Sequence, residues 1–494
     1  MKREELEVRR QAVLIEPDIS RVIIKPFAPV SPLSPGSAAR MKGLVKRVLE
    51  LTDDESQKIL DSVLVDFRNR HRDTEEVFAQ SFERIKFYLP ARRELSKMKR
   101  LLLGSYFTCE YSLEAAALFN PSIVPHYDQS GLATGALRFI MSLRATGEGH
   151  ISSIEFRTGT INGQGQVSMD AAGKLVSTPK LNPDPSFKAS EFFSKLRDED
   201  RRSSSMKEIV ESLPEKFTQS QLAAKIARFK KRRTKLSAAQ CRVVEALESL
   251  LELNYEINFS AKAPLSERAI FPVSSYEVNG IEDARFVRFI DDDGTVRYYS
   301  TYTAYNGKTI MPLLLETTDF IRFRINSLSG DAAKNKGMAL FPRKIKGRYV
   351  MVSRHDAENL YLVYSDTPYR WNDPSALMQP SAHWEFTQIG NCGSPIETKK
   401  GWLLLTHGVG PMRKYCIGAV LLDIDNPSKV IGRLKDPLIA PDESEREGYV
   451  PNVVYTCGAI AHNGRLIVPY AMSDRATRIA SVSLDELMEK MGQK

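Results

Sequence analysis

Four turn dipeptides recur along the C-terminal half of the chain, and their spacing restricts the fold more than any other feature. Asp293-Gly294, Lys346-Gly347, Lys400-Gly401 and Asn463-Gly464 each separate two apolar stretches, at intervals of 53 to 63 residues. Glycine supplies the left-handed backbone that a tight hairpin needs, so each dipeptide reads as a turn between two strands. The flanking segments are alike: "ARFVRFIDDDGTVRYYSTYTAY", "MALFPRKIKGRYVMVSR", "GSPIETKKGWLLLTHGV" and "GAIAHNGRLIVPYAMS". Further strands follow them, such as "NLYLVYSD", "IGAVLLDID" and "RIASVSLDEL". "NPSIVPHYDQSGLATGALRFIMSLRA" (120–145) is a fifth copy with a longer turn. A repeat of this length is in the range of propeller blades. Five copies of a small antiparallel sheet therefore predict a mainly β fold, a five-bladed β-propeller. A β-sandwich would leave the turn-to-turn period without a cause.

Helical texture interrupts the repeats twice. The expected organisation is an N-terminal arm and helical region (1–104), a first part of the propeller (105–186), a helical insertion (187–254) and the remainder of the propeller (255–494). "PFAPVSPLSPGSAAR" (26–40) reads as a Pro/Ser-rich linker that cannot be regular helix. "LTDDESQKILDSVLVDFRNRH" then opens at Thr52 with Glu55 three residues on, the spacing of a capping box. Further helices are expected over 74–88 and 92–103. In the insertion, "SEFFSKLRDED", "SQLAAKIARFKKRR" and "AAQCRVVEALESLLELNYE" carry helical periods. Their apolar faces need burial, against the rest of the chain or in a subunit interface, so a homo-oligomer is one expectation.

Bulk properties exclude several classes. The N-terminal "MKREELEVRR" lacks an apolar run after its charges and so is not a secretory signal. No apolar segment approaches the roughly 18 residues that span a bilayer. Five cysteines (Cys109, Cys241, Cys392, Cys416, Cys457), odd in number and without CxxC spacing, indicate neither a disulfide framework nor a zinc site. A cytoplasmic protein with no membrane partner is expected. The formal charge of +9 is concentrated partly in "RFKKRRTK" (228–235), where only Phe229 is aromatic. A nucleic-acid platform interleaves aromatic and basic residues, so this stretch reads as a solvated helix face and no nucleic-acid partner is expected.

Propellers direct the polar residues of their inner strands to the mouth of a central channel. Asn120, Ser122, Arg144, Glu282, Asp283, Arg285, Lys336, Arg354, His407 and Asp474 occupy such positions. Carboxylates and amides bind hydroxyl groups, and Arg, Lys and His hold a dianion. "GIEDARFVRF" (280–289) sets two acids and two arginines into an otherwise strand-like stretch. Either this is an edge strand kept soluble by charge or it carries a catalytic acid held by its neighbours.

A resemblance favours the second reading. "GIEDAR", "TYTAYNG", "LFPRKIKGRYVMVSR", "GSPIETKKGWLLLTHGV", "IGAVLLDIDNPSKVIGRLKDPLIAP", "EREGYVPNVVYTCGA" and "SLDEL" resemble family 130 of the glycoside hydrolases, the β-mannoside phosphorylases and related β-mannosidases. The likeness covers most of 105–170 and 255–490 and leaves both helical regions outside it. It implies that Asp283, the Asp of an E-D-P-R motif, is the catalytic acid, with Ala284 in place of the family's Pro. Phosphate-binding roles fall on Arg354, His407 and Tyr415, with Lys336 near another basic position. Gln388 stands where the family has a further lysine. Sugar contacts fall on Asn120, Ser122, Arg144 and Asp474, while Glu282 and Arg285 orient the acid or the sugar.

The implied reaction is inverting phosphorolysis of a β-mannoside, with an oligosaccharide and inorganic phosphate as substrates and no cofactor or metal. Cleavage of a glycosidic bond needs an acid for the leaving oxygen and a nucleophile at C1. One motif acid and several cations suit phosphate as that nucleophile. A β-mannosidase would instead need a base opposite Asp283, with Glu385, Glu397 and Glu447 as candidates. A non-catalytic glycan-binding propeller is the third reading.

Overall fold

In the computed structural model, residues 6–29, 36–90 and 94–492 are described. The middle of the Pro/Ser-rich linker (30–35) and the start of the expected 92–103 helix lie outside the described residues. Two compact units emerge, one formed by 18–115 and 173–178, the other by 1–17, 116–172 and 179–494.

The smaller unit is helical. Its helices are α1 (Ser37–Glu50), α2 (Asp53–Phe67), α3 (Thr74–Ile85) and α4 (Lys97–Ser105). The Thr52–Glu55 capping box forms as expected: Glu55 N–H donates to Thr52 Oγ1 at 3.2 Å and Thr52 N–H to Glu55 Oε2 at 2.8 Å. Helix α1 begins inside the stretch read as linker, because the prolines stop at Pro35 and "SAARMKGLVKRVLE" has none. Val45, Leu60, Phe78 and Leu102 make the core. Gly104 lets α4 approach α3 closely; a Cβ there would lie 1.9 Å from the Phe78 carbonyl oxygen.

Among the described residues the larger unit contains five antiparallel sheets of four or more strands, and a two-stranded one, Ser186–Lys188 with Lys216–Thr218, in the helical insertion. Sheet I comprises Ala117–Pro125, Leu137–Thr146, Ser152–Ile161 and Ala269–Ile270. Sheet II comprises Ile281–Ile290, Val296–Tyr305, Ile310–Thr317 and Arg322–Ser327, extended by Tyr255–Asn258 and Lys180–Leu181. Ala339–Leu340, Tyr349–Ser353, Leu360–Ser365 and Ser375–Met378 form sheet III. Sheet IV runs Gln388–Asn391, Gly401–Val409, Tyr415–Leu422 and Val430–Arg433, with Ile396–Thr398 also on Gly401–Val409. Sheet V runs Val454–Tyr455, Arg465–Met472 and Ala476–Ser483, with Ile460–His462 also on Arg465–Met472. Its outer strand is the N-terminal arm, Arg9–Ile15, paired with Ala476–Ser483.

The first two predicted turns join the first and second strands of their sheets; the other two join the short strands Ile396–Thr398 and Ile460–His462 to Gly401–Val409 and Arg465–Met472. At Lys346-Gly347 and Asn463-Gly464 both residues are left-handed, with φ of 50° and 77° and of 45° and 73°, as a two-residue hairpin requires. Asp293-Gly294 closes a longer loop, in which Asp291 and Thr295 face each other and Gly294 has φ 81°. The third turn is displaced by one residue from its expected place. Thr398 pairs with Gly401, so the turn is Lys399-Lys400. Gly401 serves close packing instead: a Cβ would lie 2.2 Å from the Leu422 carbonyl oxygen.

Apolar clusters join consecutive sheets. Ile140 and Phe156 of sheet I meet Phe286 and Leu313 of sheet II, and Tyr299 and Leu314 meet Met351 and Val363 of sheet III. Val350 and Leu362 pack on Trp402 and Leu404 of sheet IV, and Leu405 and Ile417 on Leu466 and Val468 of sheet V. The fifth cluster joins Ile467 and Ile479 to Leu118 and Met141 of sheet I. A cavity of about 610 Å³ is lined by strands of sheets I, II, IV and V, at Ile123, Phe286, Ile396 and Ile460, and by Pro342 in the loop between the first two strands of sheet III. Among the described residues no helix is long and apolar enough to cross a membrane.

Between sheets I and II the chain makes five helices, the longest Gln219–Lys231 and Ala238–Leu253, around their own core of Phe192, Leu222, Phe229 and Leu247. Lys195 fastens this insertion to sheet II. Its ammonium donates to Asn254 Oδ1 at 2.5 Å and to Asn326 Oδ1 at 2.9 Å. Burial brings the Lys195 amine down to about 7, against about 10.4 in an unfolded chain. Between those values the unfolded chain holds a proton that the folded chain has released, so this group makes stability rise with pH across that window. Below about pH 7 the cost of burying its charge is complete. Lys195→Met should therefore flatten the rise in thermal midpoint between pH 7 and 9 relative to the wild type, as read by circular dichroism.

Candidate active site

Two first strands break their ladders at matching places. The register slips between Phe119 and Ser122 in sheet I, and between Glu282 and Arg285 in sheet II. At each slip a non-glycine residue is left-handed, Asn120 with φ 49° and Asp283 with φ 56°. Asn and Asp tolerate this backbone better than other side chains, and such a bulge re-aims the side chain it carries. Here the two re-aimed side chains meet, Asn120 Nδ2 donating to Asp283 Oδ1 at 2.7 Å.

Cations surround the pair. Arg144 Nη1 lies 3.4 Å from Asp283 Oδ1 and its Nη2 lies 3.3 Å from Glu282 Oε1. Ser152 Oγ accepts from Arg144 Nε at 2.9 Å, which fixes the guanidinium. Lys336 Nζ donates to Glu282 Oε2 at 2.6 Å. Arg285 turns back, donating to the Asp283 carbonyl oxygen at 2.9 Å and to Tyr455 Oη at 2.7 Å. Ser122 is fully buried and its Oγ accepts from the Phe286 N–H at 3.0 Å. It stitches the two first strands together.

Burial by itself would raise the Asp283 carboxyl, but the charges of Arg144, Arg285 and Lys336 and the Asn120 amide hold it at about 2. Asp474, left-handed in the turn between Arg465–Met472 and Ala476–Ser483, behaves oppositely. Burial pushes it up to about 6, opposed by Arg144 and reinforced by the Asp283 charge. One site thus holds two carboxyl groups with separated titrations, the arrangement that divides acid from base roles.

A second cluster adjoins the first through Tyr455, whose ring centroid lies 4.9 Å from that of His407. His407 also stacks on Tyr415 at 5.9 Å. Arg354 and His407 pass over Gly390, where a Cβ would lie 2.2 Å from His407 Cε1 and 3.1 Å from Arg354 Cδ. Burial, with the Arg354 and Arg285 charges nearby, holds the His407 imidazole well below its ordinary value, so it is neutral. Arg354 Nε and Nη1, His407 Nδ1 and Arg285 Nε are buried without a hydrogen-bond partner among the described residues. Buried donors are rarely left so. Cationic and imidazole nitrogens of this kind can bind an oxyanion.

Sequence reasoning gathered most of these residues, and the structure brings Asn120, Arg144, Glu282, Asp283, Arg285 and Lys336 into one contact network. Lys336, expected with the phosphate group, lies against Glu282. Tyr455 and Asn391 were missed. Asn391 is buried with Oδ1 unpaired. The signal for both was the repeated Cys-Gly pair at Cys392-Gly393 and Cys457-Gly458, which pack so closely that a Cβ on Gly393 would lie 2.3 Å from the Cys457 carbonyl oxygen. Two of the alternative bases are engaged elsewhere. Glu385 is fully buried, accepts from the Ser381 and Ala382 N–H groups and pairs with Arg433. Glu397 holds Arg343 through both oxygens, at 2.8 and 2.9 Å. Glu447 is exposed.

Ionised Asp283 contributes stability that is fully present above about pH 4 and is lost as the pH falls toward about 2. Arg144→Met should raise the Asp283 titration by roughly 1–3 units and cost roughly 3–5 kcal/mol at pH 7. Carboxyl carbon NMR and denaturant unfolding check both.

The sequence profile of glycoside hydrolase family 130, described as beta-1,4-mannooligosaccharide phosphorylase, matches residues 244–493. A 1,2-beta-oligomannan phosphorylase of Thermoanaerobacter sp. (strain X514) is 34% identical over 216 residues, covering 43% of this chain and 71% of that protein. A beta-1,2-mannobiose phosphorylase of the same strain is 35% identical over 225 residues, covering 43% and 69%. Among solved structures, a beta-1,2-mannobiose phosphorylase from Listeria innocua aligns with a TM-score of 0.45 and 21% identity over 77% of this chain and 93% of that one. A profile matched over half of the chain, and two relatives above 30% identity matched over more than two thirds of their own length, establish that this protein belongs to glycoside hydrolase family 130.

Proposed function

We propose that the protein is an inverting β-mannoside phosphorylase, converting a β-linked manno-oligosaccharide and inorganic phosphate to α-mannose 1-phosphate and a shortened acceptor. The observation that carries the reading is the set of buried nitrogens on Arg354, His407 and Arg285 with no partner among the described residues. Such a pocket suits a phosphate dianion, since charge-assisted hydrogen bonds gain strength where water is excluded. The family profile and the relatives' names point the same way. A five-bladed propeller is the architecture we infer, supported by the five sheet-to-sheet clusters and the shared cavity.

In this reading phosphate lies on Arg354, His407 and Tyr415, while Asn120, Arg144, Glu282 and Asp474 hold the mannose hydroxyls. Ser122 and Arg285 position the acid, and Lys336 holds Glu282. Phosphate oxygen attacks C1 from the face opposite the leaving group, the C1–O bond breaks, and the proton from Asp283 ends on the acceptor oxygen, relayed through a mannose hydroxyl. Hydrogen phosphate supplies the proton overall, so charge and atoms balance. Asp283 is ionised in the empty site, and the arriving dianion offsets the cations that keep it so, raising its affinity for a proton. A hydrolase would need a free base; Glu385 and Glu397 are tied in ion pairs.

Incubation of a β-mannoside should give mannose 1-phosphate only when phosphate is present; free mannose formed without phosphate would show a mannosidase instead. Asp283→Asn should lower turnover by about 10²–10⁴-fold with the unfolding transition at neutral pH retained.

Arg354→Ala and Gly390→Ala should each raise KM for phosphate about tenfold or more and change KM for the glycan little. In Gly390→Ala the cause is steric, because the new methyl occupies the place of His407 Cε1. An effect confined to the glycan KM would move the anion site elsewhere.

A further inference from the structure

A second cavity, of about 540 Å³, opens beyond the far end of the strand that carries Asp283, between the helical insertion and sheets II and III. Asp291, on its wall, follows Asp283 by eight residues and lies one residue past the end of Ile281–Ile290. At about 3.3 Å per residue that is roughly 25 Å, so the two sites do not share one small ligand.

Tyr299, Tyr349 and Tyr369 line this cavity while being only 4%, 8% and 7% exposed. Phe289 fixes two of the rings, lying 5.5 Å from Tyr299 edge-on and 5.4 Å from Tyr349 stacked. The third is held by the Lys195 ammonium, 4.5 Å from its centroid. None of the three hydroxyls has a hydrogen bond to any described residue. A buried phenol usually finds a partner, and here three rigid ones without one border a single space.

Charge decides what kind of ligand suits it. Four cationic and four acidic side chains line the cavity, and Arg297 with Glu316 and Lys188 with Glu191 pair among themselves. A free anion or cation therefore meets no net field. A neutral ligand rich in hydroxyls meets phenols, carboxylates and guanidinium groups lining one space, and these supply both acceptors and donors. The volume is in the range of small-ligand sites, about 300–1,000 Å³.

We propose that this cavity, built partly by the helical insertion, is a second carbohydrate site that binds a short neutral oligosaccharide apart from the reacting bond. The choice of a mannoside as the probe rests on the proposed reaction. The test is calorimetric titration of the full chain with β-1,2- and β-1,4-linked mannotriose in phosphate-free buffer, beside the Tyr299→Phe/Tyr369→Phe double variant. The wild type should bind two mannotriose molecules per chain and the variant one, with second-site affinity lowered at least tenfold and KM and kcat of phosphorolysis within twofold. One molecule in both proteins, or two in both with equal affinity, overturns the proposal. Hydrogen exchange on the wild type needs no variant: mannotriose should protect residues 186–191 and 366–369, and unchanged exchange there overturns the proposal as well. Failure of the reaction is read separately, as absence of mannose 1-phosphate, and leaves the binding result standing.

Discussion

The contact between Asn120 and Asp283 is the point on which the site turns. Each residue sits at a register slip in the first strand of its sheet, and each adopts a backbone that few side chains tolerate. Such conformations cost about 1–3 kcal/mol each and persist only where the surroundings over-determine them. Here the surroundings are the Ser122 hydroxyl on the Phe286 N–H, the Arg285 guanidinium on the Asp283 carbonyl and the apolar cluster joining sheets I and II. Removing the slip from either strand would return its side chain to the regular alternation and part the pair.

Electrostatics then divide the site in two. Around Asp283 and Glu282 the cations Arg144 and Lys336 are matched by carboxylates, and Asn120 Oδ1 is a buried polar atom left without a partner there among the described residues. Around Arg354 and His407 no carboxylate of the described residues is in direct contact, and Arg354 Nε and Nη1 and His407 Nδ1 are without a partner among them. Arg285 and Tyr455 connect the halves, so a charge arriving at one is felt at the other. In the proposed reaction that coupling would let a carboxyl held near 2 take up a proton once phosphate binds.

The helical insertion adds a different chemistry. Its core is separate from those of the sheets, yet Lys195 reaches out of it to two asparagines at the edge of sheet II, and the space left beside that anchor is walled by tyrosines. An amine without a carboxylate partner is a costly anchor. Its two amide acceptors and the face of Tyr369 offset part of that cost and fix where the insertion meets the sheet.

Much of this was legible in the chain itself. Turn glycines and strand periodicity depend on nearest neighbours, so the sheets, the capping box at Thr52 and the helices of the insertion follow from local sequence. The family resemblance made Asp283, Arg354 and His407 candidates, since each lies in a distinctive short stretch. The shifted turn at Lys399-Lys400 and the helix starting at Ser37 show the limit: a glycine or a run after prolines has more than one local reading, and packing selects among them. Only the tertiary structure decided which residues touch. Asn120 and Asp283 are 163 positions apart, and the sequence carries no local term for a contact at that separation. The same holds for Tyr455 against Arg285, and for the pairing of Lys336 with Glu282. The burial that sets Asp283 near 2 and Asp474 near 6 is likewise a property of the assembled sheets. Sequence by itself determined the side chains available and the strands that carry them; the distances and the desolvation that make them a site exist only once those strands are brought together.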